Sequence, residues 1–252
     1  GFGLRPFYIQ SNGGTDQLIP NEKPFIQTPS GYTQADFLQK IKFKTGDLVH
    51  VFNLQASLSS DIPRYDRLTQ ISDAGSLRFG DWYYGPEFRS LLSYGLRLPE
   101  TKWYGQASIT TAVQFIGESR NTRVLNGLQL KEQKESVNVF SLNMDFQKKK
   151  DRHSFQYGIE LIRNEVSSVA QFLAVSSTST TLEKADTRYP DGGSFTHSGA
   201  IYLSDHWKVN DKVLLNGGIR YNYSSIKASF DDKSFFPFEL DKVLQQNQAV
   251  VG

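Results

Sequence analysis

Residues 213–223 alternate without a break. Val213, Leu215, Gly217, Ile219, Tyr221 and Tyr223 fall on one side of an extended chain, and Leu214, Asn216, Gly218, Arg220 and Asn222 on the other. A period of two predicts a strand with one face in an apolar medium and the other in a wetter one. Residues 136–147 repeat it, with Phe140, Leu142, Met144 and Phe146 against Ser141, Asn143, Asp145 and Gln147. Residues 153–163 set Phe155, Tyr157, Ile159 and Leu161 against Ser154, Gln156, Gly158 and Glu160. The pattern recurs at 88–98 and 103–117. Further strands are expected at 35–44, 48–60 and 196–209, which makes about eight, each longer than the roughly 5–6 residues usual in soluble sheets. Strands of that length suit a tilted bilayer crossing.

The connections add a second rhythm. Thr45-Gly46-Asp47, Pro99-Glu100-Thr101-Lys102, the stretch 148–152 and Asn210-Asp211-Lys212 are short. Between them stand long connections at 61–85, at 169–194 and beyond Ile226, and a stretch around 118–134 that is either a longer connection or an extension of the flanking strands. Membrane barrels sort their loops this way, with tight turns on one side and long loops on the other. The prediction is an all-β antiparallel meander of about eight long strands. Its hairpins turn near Gly46, Glu100, Lys150 and Asp211 at one end. The apolar set Phe140, Leu142, Phe146, Phe155, Ile159, Leu161, Ile219 and Tyr221 faces outward. Asn143, Asp145, Glu160, Asn216, Arg220 and Asn222 face the lumen. Residues 1–33, with Pro6, Pro20, Pro24 and Pro29, read as mostly loop.

Composition changes this picture little. Mean hydropathy is −0.45 and hydrophobic residues are 38% of the chain. Neither opposes a barrel, because alternation keeps average hydropathy low. A net charge of +2 gives no general attraction to nucleic acid, and the absence of cysteine removes disulfides and thiolate metal sites. Residues 1–10 lack the basic and apolar regions of a signal peptide. The missing initiator methionine and the end at Val250-Val251-Gly252 lead to the expectation of a barrel fragment spanning 1–252.

Candidate chemistry is sparse. There is no Gly-x-Ser-x-Gly around Gly75-Ser76-Leu77 or elsewhere, and no Gly-x-Gly-x-x-Gly. No enzyme and no cofactor are expected. Of the histidines, His50 falls among Phe52 and Leu54, while His153 and His206 lie near short turns. His197 alone lies near a long loop, and is a weak candidate for haem. The loop Ser60-Asp61-Ile62-Pro63-Arg64-Tyr65-Asp66-Arg67-Leu68 differs from the others. Arg64, Tyr65, Asp66 and Arg67 are the candidate ligand-binding residues, or else arginine–aspartate pairs that stiffen the loop. Trp82-Tyr83-Tyr84-Gly85-Pro86 closes the same connection.

The run 61–68, with 82–86, resembles the barrel of TonB-dependent receptors of the haemoglobin/transferrin/lactoferrin receptor type. Gly31-Tyr32-Thr33-Gln34-Ala35-Asp36 and Leu215-Asn216-Gly217-Gly218-Ile219-Arg220-Tyr221 look like the same family. The resemblance implies a 22-stranded outer-membrane barrel, closed by a plug domain outside this chain. It implies an iron carrier, haem or haem protein as ligand, outer-membrane lipid as surroundings, and the TonB complex as energy source through the plug. The stretches that frame a haem-ligand histidine in haem-uptake members do not occur in 1–252, so no haem ligand carries over and metal ligands are unassigned. A competing reading is a small closed outer-membrane barrel, acting as a passive channel, structural protein or adhesin. About eight strands are enough to close one.

Overall fold

The computed structural model describes residues 3–12, 15–175 and 183–236. A two-stranded hairpin, β1 (Phe7–Asn12) and β2 (Thr15–Pro20), comes first. One large antiparallel sheet follows. Its strands are β3 (Gln34–Thr45), β4 (Leu48–Ser59), β5 (Ile62–Pro63), β6 (Phe79–Tyr84), β7 (Phe88–Leu98), β8 (Gln106–Val124), β9 (Gln129–Lys150), β10 (His153–Ala174), β11 (Glu183–Lys184), β12 (Ser194–Lys208) and β13 (Leu214–Ala228). Eight of these are long and lie in the order β3-β4-β7-β8-β9-β10-β12-β13. The expected meander is what forms. Among the described residues the helical pieces are α1 (Tyr65–Leu68) and a 3-10 turn at Lys233–Phe235.

The registers place the short turns together at one end. Thr45 pairs with Leu48, Lys150 with His153, and Lys208 with Leu214. Gly46 has φ +60° at the first position of its two-residue turn, a conformation glycine adopts without steric cost. Directly paired residues share a face. Asp145, Gly158, Tyr202 and Arg220 therefore form one cross-strand row, and Leu142, Leu161, Gly199 and Tyr223 a row on the other side. The first side is polar: Tyr202 donates to Asp145, and Arg220 pairs with Glu160. Gly158 makes room there, since a Cβ in its place would overlap the Tyr202 hydroxyl. On the other side Phe140, Ile159, Leu161, Ile219 and Tyr221 are all exposed, with Ile219 at 74%. Among the described residues no second sheet packs over them.

Three segments carry more regular structure than the hydropathy pattern showed. Of the two readings of the stretch around 118–134, the extension of the flanking strands is the one that forms. β8 and β9 run through it as strands of 19 and 22 residues, joined by the tight turn 125–128. Both faces are polar there, so hydropathy alternation vanishes although the strands continue. Residues 1–33 contain the β1–β2 hairpin, which takes up more of the segment than the prolines suggested. The connection at 61–85 carries β5, α1 and β6, and β6 joins the main sheet beside β8. The strands at the two margins, β3 and β13, do not pair with each other among the described residues.

Candidate ligand-binding site at the long-connection end

Beyond Phe88, β7 no longer accompanies β8. β6 takes its place, with Tyr84 opposite Arg120 and Trp82 opposite Thr122. This exchange gives the 61–68 loop a wall to fold against. Ile62 and Pro63 pair with Tyr84 and Tyr83, and the Arg64 amide donates to the Trp82 carbonyl at 2.9 Å. One helical turn follows, its Leu68 amide bonded to the Arg64 carbonyl at 3.0 Å and its Leu68 side chain buried. Thr69 Oγ1 donates to the Tyr65 carbonyl at 3.1 Å.

Three guanidinium groups meet on two aromatic rings. Trp82 is buried and meets Tyr84 edge-on, with centroids 4.9 Å apart. Arg64 lies 5.3 Å from the Trp82 centroid and 5.2 Å from that of Tyr84. Arg67 lies 5.9 Å from Trp82, and Arg120 5.3 Å from it. Cations over the faces of Trp and Tyr are attracted by the ring quadrupole. Asp66 answers Arg64 with two bonds of 2.8 Å and lies 3.8 Å from Arg67. The hydrogen bonds from Arg64 hold the Asp66 carboxyl below its usual range. Arg64 also donates to the Tyr84 hydroxyl at 3.0 Å. Arg120 has no carboxylate within 4 Å among the described residues, and its Nε is buried without a partner. The cluster thus has one carboxylate for three cations. By strand alternation Arg120, Trp82 and Tyr84 belong to the polar side of the sheet. Tyr65 is on the same turn, 4.9 Å beneath the Arg5 guanidinium.

Two polar clusters hold this end together. On the opposite side of β6 and β8, Arg123 Nη1 and Nη2 donate to Asp16 at 2.9 and 2.6 Å, and Nε donates to Asp81 at 2.5 Å. The Arg123 side chain is 0% exposed and that of Asp16 1%. The pair fastens β2 to the sheet across 107 residues of sequence. On the polar side, Glu135 accepts from Arg188 at 3.2 Å and from Ser168 at 3.3 Å. Burial pushes the Glu135 carboxyl above its usual range despite Arg188. Arg188 belongs to the strap 183–191, which is bonded through Ala185 to Ala170 at 3.0 Å and through the Asp186 carbonyl to Gln133 at 2.8 Å.

The structure brings Arg64, Tyr65, Asp66 and Arg67 into one place. It adds Trp82, Tyr84 and Arg120, of which the last carried no sequence signal. His197 is elsewhere: it is exposed on the apolar side, opposite Arg163 and Ser225, and β8, β9 and β10 separate its strand from β6. His50 stacks on Phe43 and bonds Tyr94 at 2.9 Å, His153 bonds Asp205 at 2.6 Å, and His206 bonds Asn216 at 2.7 Å. Among the described residues no three His, Cys, Asp or Glu side chains gather as metal ligands.

Residues 6–238 match the family model described as TonB dependent receptor-like, beta-barrel. No curated protein sequence matches the chain. Among solved structures, the fold is similar to the ferric citrate transporter FecA in its unliganded form, with a TM-score of 0.51 and 15% sequence identity. That alignment covers 79% of this chain and 30% of the other, so the chain spans less than a third of the length of that structure.

Proposed function

The chain belongs to the TonB-dependent receptor-like β-barrel family, and we propose that it forms an arc of an active-transport receptor in the outer membrane of a Gram-negative bacterium. The ligand is an anionic iron carrier or haem, and the energy comes from TonB through a plug domain. One observation carries the ligand reading: Arg64, Arg67 and Arg120 gather on Trp82 and Tyr84 with only Asp66 to balance them. Ferric carriers with carboxylate arms and haem with its propionates are both planar or oxygen-rich anions. Guanidinium groups recognise carboxylates through paired N–H donors, and the aromatic floor fixes their direction. The cluster lies on the polar side of the sheet, where the wall of a wet barrel interior would be. The fold likeness to a ferric citrate transporter favours the ferric carrier over haem, as does the exposed, outward position of His197. The small closed barrel is disfavoured, since among the described residues β3 and β13 leave both margins of the sheet unpaired.

The test uses the full-length receptor. Arg67→Ala and Arg120→Ala are each expected to weaken binding of an anionic ferric carrier by about tenfold or more. Surface level, measured by antibody labelling of whole cells, stays normal. Unchanged affinity for both a ferric carboxylate carrier and haem would remove the ligand reading. Reduced surface level with normal affinity per receptor would make the cluster a structural brace.

A further inference from the structure

The two ends of the sheet differ sharply in charge. At the short-turn end, residues 44–47, 99–105, 148–152 and 208–213 contain eight Lys or Arg and four Asp or Glu. At the other end, the connections 60–87, 125–128 and 183–193 contain five Lys or Arg and eight Asp or Glu. The surplus of cations coincides with a patch of aromatic rings on the apolar side. The 99–105 loop lies against that side: Lys148 Nζ donates to the Thr101 carbonyl at 3.1 Å, and the Tyr157 hydroxyl to the Trp103 carbonyl at 3.0 Å. Tyr104, Phe146 and Tyr157 follow one another at centroid distances of 5.6 and 5.3 Å. His153 stacks between Phe155 and Trp207, each at 5.5 Å. Trp103 stands 73% exposed, with Lys102 Nζ 5.2 Å from its ring. Lys150 shares this side, opposite His153, and neither Lys102 nor Lys150 has a carboxylate within 4 Å among the described residues.

We infer that this basic and aromatic rim binds the headgroups of anionic phospholipids in the adjoining leaflet, with Lys102 and Lys150 facing the phosphates and Trp103 and Trp207 at the headgroup level. The inference rests on the outer-membrane reading above. Trp and Tyr sit at membrane–water interfaces because they are apolar over most of their surface and polar at one edge. A cation beside them adds attraction for a negative headgroup, and it acts where the dielectric is already falling. An acidic polypeptide would also meet the charge surplus. It would not account for the two tryptophans on the face that continues into the exposed apolar rows.

The full-length receptor is reconstituted in phosphatidylcholine vesicles containing spin-labelled phosphatidylglycerol or spin-labelled phosphatidylcholine. The fraction of each label immobilised on the protein is then compared. The wild-type receptor is expected to hold phosphatidylglycerol several-fold more strongly. Lys102→Gln with Lys150→Gln should together remove most of that preference, each lysine contributing about twofold or more, and high salt should weaken it. Lys40→Gln, on the polar side, leaves it unchanged. Equal retention of the two lipids by an inserted wild-type receptor overturns the inference alone. A preference that survives both substitutions does the same. Poly-glutamate binding without any lipid preference would assign the rim to an acidic polypeptide. Failure of the receptor to enter vesicles at all would sink the membrane reading as well.

Discussion

At the height of the short, paired hairpins the sheet has almost no interior of its own. Among the described residues, the buried side chains in that half are Ala107 and Ala200, whereas Leu68, Trp82, Asn121, Arg123, Glu135, Ser168 and Thr187 lie at the long-connection end. The lower half is held by ladder hydrogen bonds and leaves its apolar rows open. The upper half builds a core from ion pairs and amides under the β1–β2 hairpin and the 183–191 strap. On the outer-membrane reading proposed above, the contrast follows from the surroundings each half meets. Apolar rows are stable facing lipid without further protein. A wall standing in water must cover itself, and a polar sheet covers itself by hydrogen bonding.

The sharpest break in this contrast comes from Arg123. Arg123→Met leaves Asp16 and Asp81 facing each other without a counter-charge. The expected cost is about 3–5 kcal/mol at the hairpin, the usual effect of removing one partner from a buried ion pair. It is read as new protease cleavage within residues 3–30, and adding Asp16→Asn and Asp81→Asn should recover part of the loss. Intact protection in Arg123→Met would mean that the upper core does not depend on its charges.

Ile201→Lys tests the lower half. Ile201 is exposed on the apolar side, opposite Ile159 and Tyr221. A lysine at the lipid midplane should cost ~2–4 kcal/mol and lower the yield of assembled, heat-resistant barrel. Ala200→Ser, one residue away on the polar side, should pass unnoticed. Equal tolerance of both would say that lipid does not contact this face.

The smallest effects are of pH, and the two upper clusters should respond with opposite sign. Burial alone would raise the Asp16 carboxyl, but its bonds to Arg123 and the Asn126 amide outweigh burial and hold it low. A lowered carboxylate stabilises the fold above its unfolded pKa, and that contribution is lost as pH falls through the folded value. The hairpin should therefore loosen only in acid below the ordinary aspartate range. Glu135 is raised, so its contribution is present at low pH and is lost as pH rises through the folded value. Protection of the 183–191 strap against proteolysis should increase modestly from neutral toward mildly acidic pH, and Glu135→Gln should flatten that slope. A strap that loosens on mild acidification would reverse the role assigned to burial.

The same contrast explains what could be read in advance. Where one side is apolar and the other polar, alternation is written into Phe140, Leu142, Ile159, Leu161, Ile219 and Tyr221, and both strands and faces followed from it. Where both sides are polar, Glu118, Arg120, Thr122, Gln133 and Glu135 alternate only polar with polar, and the pattern left open whether a loop or two tall strands fill the stretch. The 61–68 loop stood out because arginine, aspartate and tyrosine crowd together locally. Arg120 joins that cluster from 53 residues beyond Arg67, and the Asp16–Arg123 pair spans still more of the chain. Local pattern has no access to pairings that the register alone creates.

The two 22-residue strands bear on where the arginine cluster stands relative to a membrane. At ~3.3 Å per residue they are roughly 70 Å long. Inclined by about 40°, as barrel strands are, they reach about 55 Å along the membrane normal, against an apolar band of about 25 Å. Some 30 Å of wall then stands clear of the hydrocarbon layer, by the same geometry. On the receptor reading proposed above, the arginine-bearing rim would be an antechamber. A molecule bound there would still have a distance as great as the membrane's own apolar thickness to descend before it began to cross.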